Sequence, residues 1–372
     1  MLQIDRLIFT QVIKGQKLSI LNQELLSYAA SRIEDSLAET AKIVRFHRIG
    51  PPEVLQLDEL PLPMPNHDEV RLRVKAIGLN RAEIHFREGR YRFSPVLPSK
   101  IGYEASGIVE AIGQGVNRSW LGKTVSTLPA FPANKYGVYG EIAIVPAITI
   151  AEYPPHLSYE EGTAIWMRYI TAYGALIHDG RLAKGDFVLV TAASSSVGIA
   201  AIEIARSQGA ISIATTRTAK KKARLHELGA DHVVVTDAED LPARVNAITG
   251  GRGARVVFDP IGGKGLEILA AAAAPSGIIF EYGIMADDPT PYPLQLALKK
   301  HLTVKAYTLF EAVSNPDEHP DEFLKAKQYV LNGLTNGSFK PMIDRTFRLS
   351  NIVEAHRYME SNAQIGKIVV TA

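Results

Sequence analysis

A chain of 372 residues with 46% hydrophobic residues and 21 prolines is long enough for two domains with cores of their own. Its 41 Lys and Arg against 39 Asp and Glu leave a formal charge of +2, which argues against a nucleic-acid or membrane-surface protein and makes any basic character local. With no cysteine it has no disulfide, thiol nucleophile, iron–sulfur ligation or Cys-based zinc site, a pattern that fits the cytoplasm, and no run of about 18 apolar residues predicts a membrane span.

Residues 1–40 read as an N-terminal extension. The opening MLQIDRLIFTQVIKGQKLSIL is too polar and interrupted for a secretory signal. Residues 21–43 suggest an amphipathic helix, with Leu25, Ala29, Ile33 and Leu37 at helical spacing. A first strand is expected at 41–46. Others follow at 54–57 and 69–76, where Val70, Leu72 and Val74 alternate with Arg71, Arg73 and Lys75. Further short strands at 105–113, 124–128 and 141–145, broken by glycine and proline, predict an irregular β-barrel.

From about residue 160 the rhythm becomes helix, strand, helix. Strands are expected at 187–191, 211–215, 232–235, 254–259, 278–282 and 302–307, with helices at 218–228, 241–248 and 265–274. Six strands joined by crossovers make a doubly wound parallel sheet of Rossmann type. The last stretch gives a helix from Phe323, a turn at Asn336-Gly337, a helix at 352–361 and a strand at 367–370 that returns to the β-rich half. The domains are therefore expected as 41–165 with 310–372 for the barrel half, and 166–309 for the dinucleotide-binding half.

The stretch Phe187 to Gly198 carries the chemistry. An apolar strand runs into small residues, and apolar spacing from Val197 to Ser207 then predicts a helix stopped by Gly209. The amides that open such a helix lack internal partners and form a phosphate site. Ala193, Ser195 and Gly198 take the three places of the G-x-G-x-x-G fingerprint, which is only partly present. The next strand ends in Thr216-Arg217, with Lys220, Lys221 and Lys222 after it and no acidic residue for a ribose 2′-hydroxyl. Thr216, Arg217 and Lys221 suit a 2′-phosphate, so the expected cofactor is NADPH rather than NADH; Lys220 and Lys222 read as a solvated face.

Several segments in order carry a family resemblance: Gly78-Leu79-Asn80-Arg81-Ala82-Glu83, Ile101 to Gly107 as a G-x-E-x-x-G turn, Tyr139-Gly140-Glu141, Tyr169 to Tyr173, Ala192 to Gly198, and Asp259 to Gly263. Over residues 42–372 the chain resembles the medium-chain dehydrogenase/reductase superfamily, in its zinc-free quinone oxidoreductase branch. The resemblance implies a GroES-like barrel beside the Rossmann domain. Asn80 stands where the zinc alcohol dehydrogenases carry a zinc-binding cysteine, and Tyr103 where they carry a histidine before Glu104. The four-cysteine lobe is missing. The implied reaction is zinc-free hydride transfer from NADPH to a quinone or α,β-unsaturated carbonyl. A 2-enoyl thioester reductase and a non-catalytic NADPH-binding regulatory protein are the alternatives.

Candidate hydrogen-bond donors to the acceptor are Asn80, His85 and Tyr91. Each has a second reading: Asn80 as a loop brace, His85 as a surface residue, Tyr91 as an aromatic wall. Glu104 is expected to support the barrel turn, and Lys367 to be a surface lysine within reach of the cofactor phosphate. On the cofactor side, Thr171 and the turn Ser194, Ser195, Ser196, Val197 and Gly198 are expected at the diphosphate, with Pro260, Gly283 and Ile284 at later strand ends. The apolar edge strand 302–307 and the resemblance together imply a homodimer.

Overall fold

The computed structural model describes residues 39–372. The expected helix at 21–43 lies outside them except for its end, where Thr40–Phe46 is instead strand β1. The chain divides into two units. The smaller one, among whose described residues are 39–41 and Glu59–Pro63, is tied by the Leu62 N–H to the Glu39 carbonyl (2.9 Å). The larger one comprises Lys42–Asp58 and Met64–Ala372 and carries the residues considered below.

Strands β2 (Leu55–Pro61), β3 (Glu69–Gly78), β4 (Ser99–Lys100), β5 (Glu104–Ile112), β6 (Thr124–Thr127), β7 (Ile142–Pro146) and β8 (Ile150–Ala151) follow in the first half. The second half contributes β9 (Phe187–Val190), β10 (Ile211–Thr216), β11 (His232–Val235), β12 (Ala254–Asp259), β13 (Ala273–Glu281) and β14 (Thr303–Ala306), then β15 (Ile343–Arg348) and β16 (Lys367–Thr371). A small sheet is ordered β2-β1-β4. A second has the order β15-β16-β3-β5-β6-β8, with β7 also on β3. The third is the doubly wound sheet, β11-β10-β9-β12-β13-β14, parallel throughout. Its order reverses between β9 and β12, where such sheets open a crevice for a ligand.

Alternation along these strands explains the two layers of helices. Val188, Val190, Val256, Phe258 and Phe280 point into one core, shared with the barrel and the helices Trp166–Tyr173 and Ser196–Gln208. Leu189, Ile213, Val234, Val257 and Ile279 point into the other, against Leu241, Val245, Leu266 and Leu269. Both faces are covered, so the strands read as continuous apolar runs.

Three expectations need correction. The helix at 265–274 ends at Ala272, and β13 begins five residues earlier than expected, because Ala273 pairs with Ala254. A run of alanines carries no strand signal, and the register shift that follows is turned at Ser276 (φ 55°). The helix expected at 218–228 starts as a 3-10 turn, Ala219–Lys221, before Lys222–Glu227. Strand β15 has no counterpart in the sequence reading. It is an exposed edge strand, with little apolar alternation to betray it.

Candidate active site

The acceptor-side segment leaves β3 at Gly78 and enters the helix Arg81–Arg87. Asn80 precedes the helix in extended conformation (φ −132°), and the carboxylate three residues on, Glu83, accepts the Asn80 N–H at 2.7 Å. Glu83 is fully buried. It also accepts from the Tyr103 N–H (3.1 Å), the Tyr139 hydroxyl and the Asn80 amide (3.3 Å). Burial nevertheless raises its pKa to about 7.

Asn80 is buried and its amide is fully engaged. Its NH2 group donates to the Gly78 carbonyl (3.2 Å) and to Glu83, while Oδ1 accepts from Lys367 Nζ at 2.6 Å. The loop-brace reading therefore describes its contacts. His85 is 9% exposed, so the surface reading does not apply. Burial lowers its pKa, and Nδ1 has no hydrogen-bond partner among the described residues. Tyr91 packs edge-on against Phe93 (5.2 Å) beside the Tyr103 phenol, and burial raises its pKa to about 12. Tyr103 in turn meets Phe131 and Phe310, with ring centroids 6.0 and 5.5 Å away.

Lys367 is the main correction at the site. It is not a surface lysine: its side chain is 0% exposed. Besides Asn80 it pairs with Glu104 Oε2, whose other oxygen accepts the Met167 N–H (2.8 Å) at the start of the helix Trp166–Tyr173. Glu104 thus braces the barrel turn, as expected, and a helix start as well. Thr171, on that helix, turns its hydroxyl back to the Met167 carbonyl (2.5 Å).

The nucleotide turn has the expected build. Ser195 caps the helix Ser196–Gln208 by accepting the Gly198 N–H at 3.0 Å, and Gly209 ends it at φ 69°. A Cβ on Gly198 would stand 2.7 Å from Ala193 Cα, so the third fingerprint position requires glycine. Ser194 and Ser195 are flanked by the C-terminal segment: the Gly366 N–H donates to the Ser194 carbonyl at 3.0 Å. Lys221 Nζ donates to Ser194 Oγ (3.2 Å), the Asn362 carbonyl (3.0 Å) and the Gln364 carbonyl (2.8 Å). Arg217 and Lys220 are exposed, Thr216 and Val197 partly so. Pro260 and Gly283 meet across two strand ends, where a Cβ on Gly283 would lie 2.5 Å from the Pro260 carbonyl oxygen; Ile284 beside them is 56% exposed.

Sequence reasoning missed Glu83, Tyr139 and the partners of Lys367. The Asn80-x-x-Glu83 spacing is itself a capping-box signal. Nothing local marks the other two, whose partners lie 56 and more than 260 residues away.

Comparison with known proteins fits this geometry. Residues 66–155 match the alcohol dehydrogenase GroES-like domain, and residues 196–325 match the zinc-binding dehydrogenase family. The rat synaptic vesicle membrane protein VAT-1 homolog is 30% identical over 324 residues, 83% of this chain and 78% of its own. An NAD-dependent alcohol dehydrogenase structure superposes with a TM-score of 0.82 at 30% identity, covering 89% of this chain and 99% of its own. The NADPH complex of Escherichia coli quinone oxidoreductase gives 0.80 at 28%, over 89% and 100%. The chain belongs to the medium-chain dehydrogenase/reductase superfamily, in its quinone oxidoreductase branch.

The residues expected at the zinc position do not suit a zinc ion. Asn80 and Tyr103 offer neither thiolate nor imidazole, and the ammonium of Lys367 lies between Asn80 Oδ1 and Glu104 Oε2. Among the described residues no group of three or more His, Asp or Glu is placed to hold a metal, and no helix is long and apolar enough to cross a membrane.

Behind Pro260 and Gly283, Asp259 and Glu281 stand side by side at the ends of β12 and β13. Burial and the Asp259 charge raise the Glu281 pKa to about 8. The folded chain therefore binds a proton that the unfolded chain, with its carboxyl near 4.5, releases earlier. This share of stability is full below pH 4.5 and is lost as pH rises toward 8. Glu281→Gln is expected to flatten the fall in urea midpoint between pH 6 and pH 9; an unchanged fall would assign the pH dependence elsewhere.

Proposed function

We propose that this chain reduces quinones or α,β-unsaturated carbonyls with hydride from NADPH and without a metal. One observation carries the reading: Gly366 and Lys367 are adjacent, the first bonded to Ser194 in the nucleotide turn and the second to Asn80 at the head of the acceptor segment. Two neighbouring residues thus touch both half-sites.

NADPH, when bound, supplies the hydride. The chain binds and orients. The free amides opening the helix Ser196–Gln208 receive the diphosphate, with Ser194, Ser195, Ser196, Val197 and Gly198 shaping the turn. Thr171 flanks the diphosphate, and Pro260, Gly283 and Ile284 line the ligand crevice at the later strand ends. Arg217, exposed beyond Thr216, pairs with the 2′-phosphate. Lys221 supports the turn through Ser194 while bonded to the two carbonyls of the C-terminal segment. On the acceptor side Asn80, with its amide committed, positions the segment. Tyr91 donates its phenolic proton to the oxygen on which charge develops, with His85 beside it on the same segment. The homodimer forms through the exposed edge of β14.

The test is oxidation of NADPH and of NADH by the purified protein with 1,4-naphthoquinone and a set of enones, with and without a chelator. NADPH is expected to be preferred, the chelator to have no effect, and the protein to sediment as a dimer. Arg217→Glu is expected to raise the KM for NADPH about tenfold, the loss of one charge-assisted bond, and leave that for NADH unchanged. Turnover with NADH alone would overturn the cofactor reading, and binding without turnover of any acceptor would leave a non-catalytic NADPH protein.

A further inference from the structure

Lys367 is among the largest fully buried side chains of the described residues, and a buried ammonium is costly to desolvate. The fold makes room for it. Gly78 has no Cβ where one would lie 2.7 Å from Lys367 Cε and 2.2 Å from the Thr163 carbonyl oxygen. The ammonium binds Asn80, which opens the helix Arg81–Arg87, and Glu104, which opens the helix Trp166–Tyr173 through the Met167 N–H. It also faces the buried Glu83 electrostatically. A charge kept only for stability gains little here, since apolar residues of equal volume fill a core at least as well. Four elements instead converge on one atom.

We propose that Lys367 is a positioning residue: its ammonium, bonded to Asn80 and Glu104, holds the acceptor-side helix at a fixed distance from the cofactor-side helix. The inference rests on the reductase reading for its catalytic consequence and on the contacts alone for its structural one. Near-attack geometry tolerates little displacement, so an acceptor segment released from Lys367 turns over slowly although both ligands still bind.

The decisive variant is Lys367→Met combined with Glu104→Gln. It removes both members of the Lys367–Glu104 ion pair and keeps an acceptor for the Met167 N–H, while Glu83, which loses the nearby cation, is held neutral by its burial, so the double variant folds where Lys367→Met alone risks not folding. Amide hydrogen exchange of residues 80–87 in the unliganded protein is expected to quicken at least about tenfold, because Asn80 has lost its anchor. With NADPH and naphthoquinone, kcat is expected to fall at least about tenfold while the dissociation constant for NADPH stays within about twofold. Unchanged exchange at 80–87, or a double variant with the kcat of the parent, would overturn the proposal. Absence of turnover in the parent would overturn the reductase reading instead, and the exchange measurement would still decide on Lys367.

Discussion

Tyr91→Phe is expected to lower kcat about 100-fold with quinone and enone acceptors while the affinity for NADPH is unchanged. Hydride arriving at an electron-poor carbon leaves negative charge on a conjugated oxygen, and that oxygen needs a hydrogen-bond donor that becomes a proton source. Asn80 has both amide hydrogens on Gly78 and Glu83. Glu83 is ringed by its own donors. Tyr91 keeps its proton, since burial holds the phenol near 12, and its hydroxyl meets the Tyr103 phenol, a neutral partner whose own proton burial also retains. Stopped-flow traces of NADPH oxidation would separate the chemical step from binding. A large loss in His85→Phe with Tyr91→Phe near parent activity would transfer the role to His85, whose neutral ring, with its pKa lowered by burial, also carries one N–H.

The largest stability effect is expected at a buried ion pair that joins the two helices of the cofactor side. Arg168 and Glu203 form a buried ion pair at 2.8 Å, with side chains 0% and 7% exposed. Glu203 also accepts from the Tyr169 hydroxyl (2.7 Å) and the Lys340 N–H (3.2 Å), so it joins the helices Trp166–Tyr173 and Ser196–Gln208 to the segment before β15. Glu203→Leu would strand a guanidinium whose Nε and Nη1 already have no hydrogen-bond partner among the described residues. The expected cost is about 3–5 kcal/mol, read from urea denaturation. Adding Arg168→Met is expected to restore most of it, because two matched apolar groups replace two charges. If the double variant is as unstable as Glu203→Leu, packing rather than charge accounts for the loss.

What could be read in the linear sequence follows from how local each signal is. The run Phe187–Val190, the small turn and the stop at Gly209 lie within some twenty residues, and the structure has strand, turn and helix there. Alternation at 69–76 likewise marks β3, extended by two residues. The strand-to-helix passage at Gly78–Arg87 carries a capping-box spacing in the sequence, but the commitments of its side chains were not legible there. Asn80 looks like a free donor until Lys367 is brought to it across 287 positions. Lys367, flanked by Gly366 and a strand, has the signature of an exposed edge, and only the three-dimensional neighbourhood of Gly78, Glu104 and Thr163 explains its burial. Alanine-rich 270–274 favours helix throughout, and only the pairing of Ala273 with Ala254 set the boundary there.

The pairing of β16 with β3, Val369 opposite Gly78, has a consequence for how the molecule is born. Every strand of the six-stranded sheet has left the ribosome by Ala306, whereas the seven-stranded sheet still lacks β15 and β16. The nucleotide-binding half therefore has its whole sequence available for folding while the first half waits, its inner strand β3 paired by β5 and β7 but still open at Ala76, Ile77 and Gly78. Lys367 is made after every strand of the six-stranded sheet, so the buried cluster around Asn80 and Glu104 is completed only after that sheet's whole sequence exists. Until then Glu104 is a carboxylate without its cation.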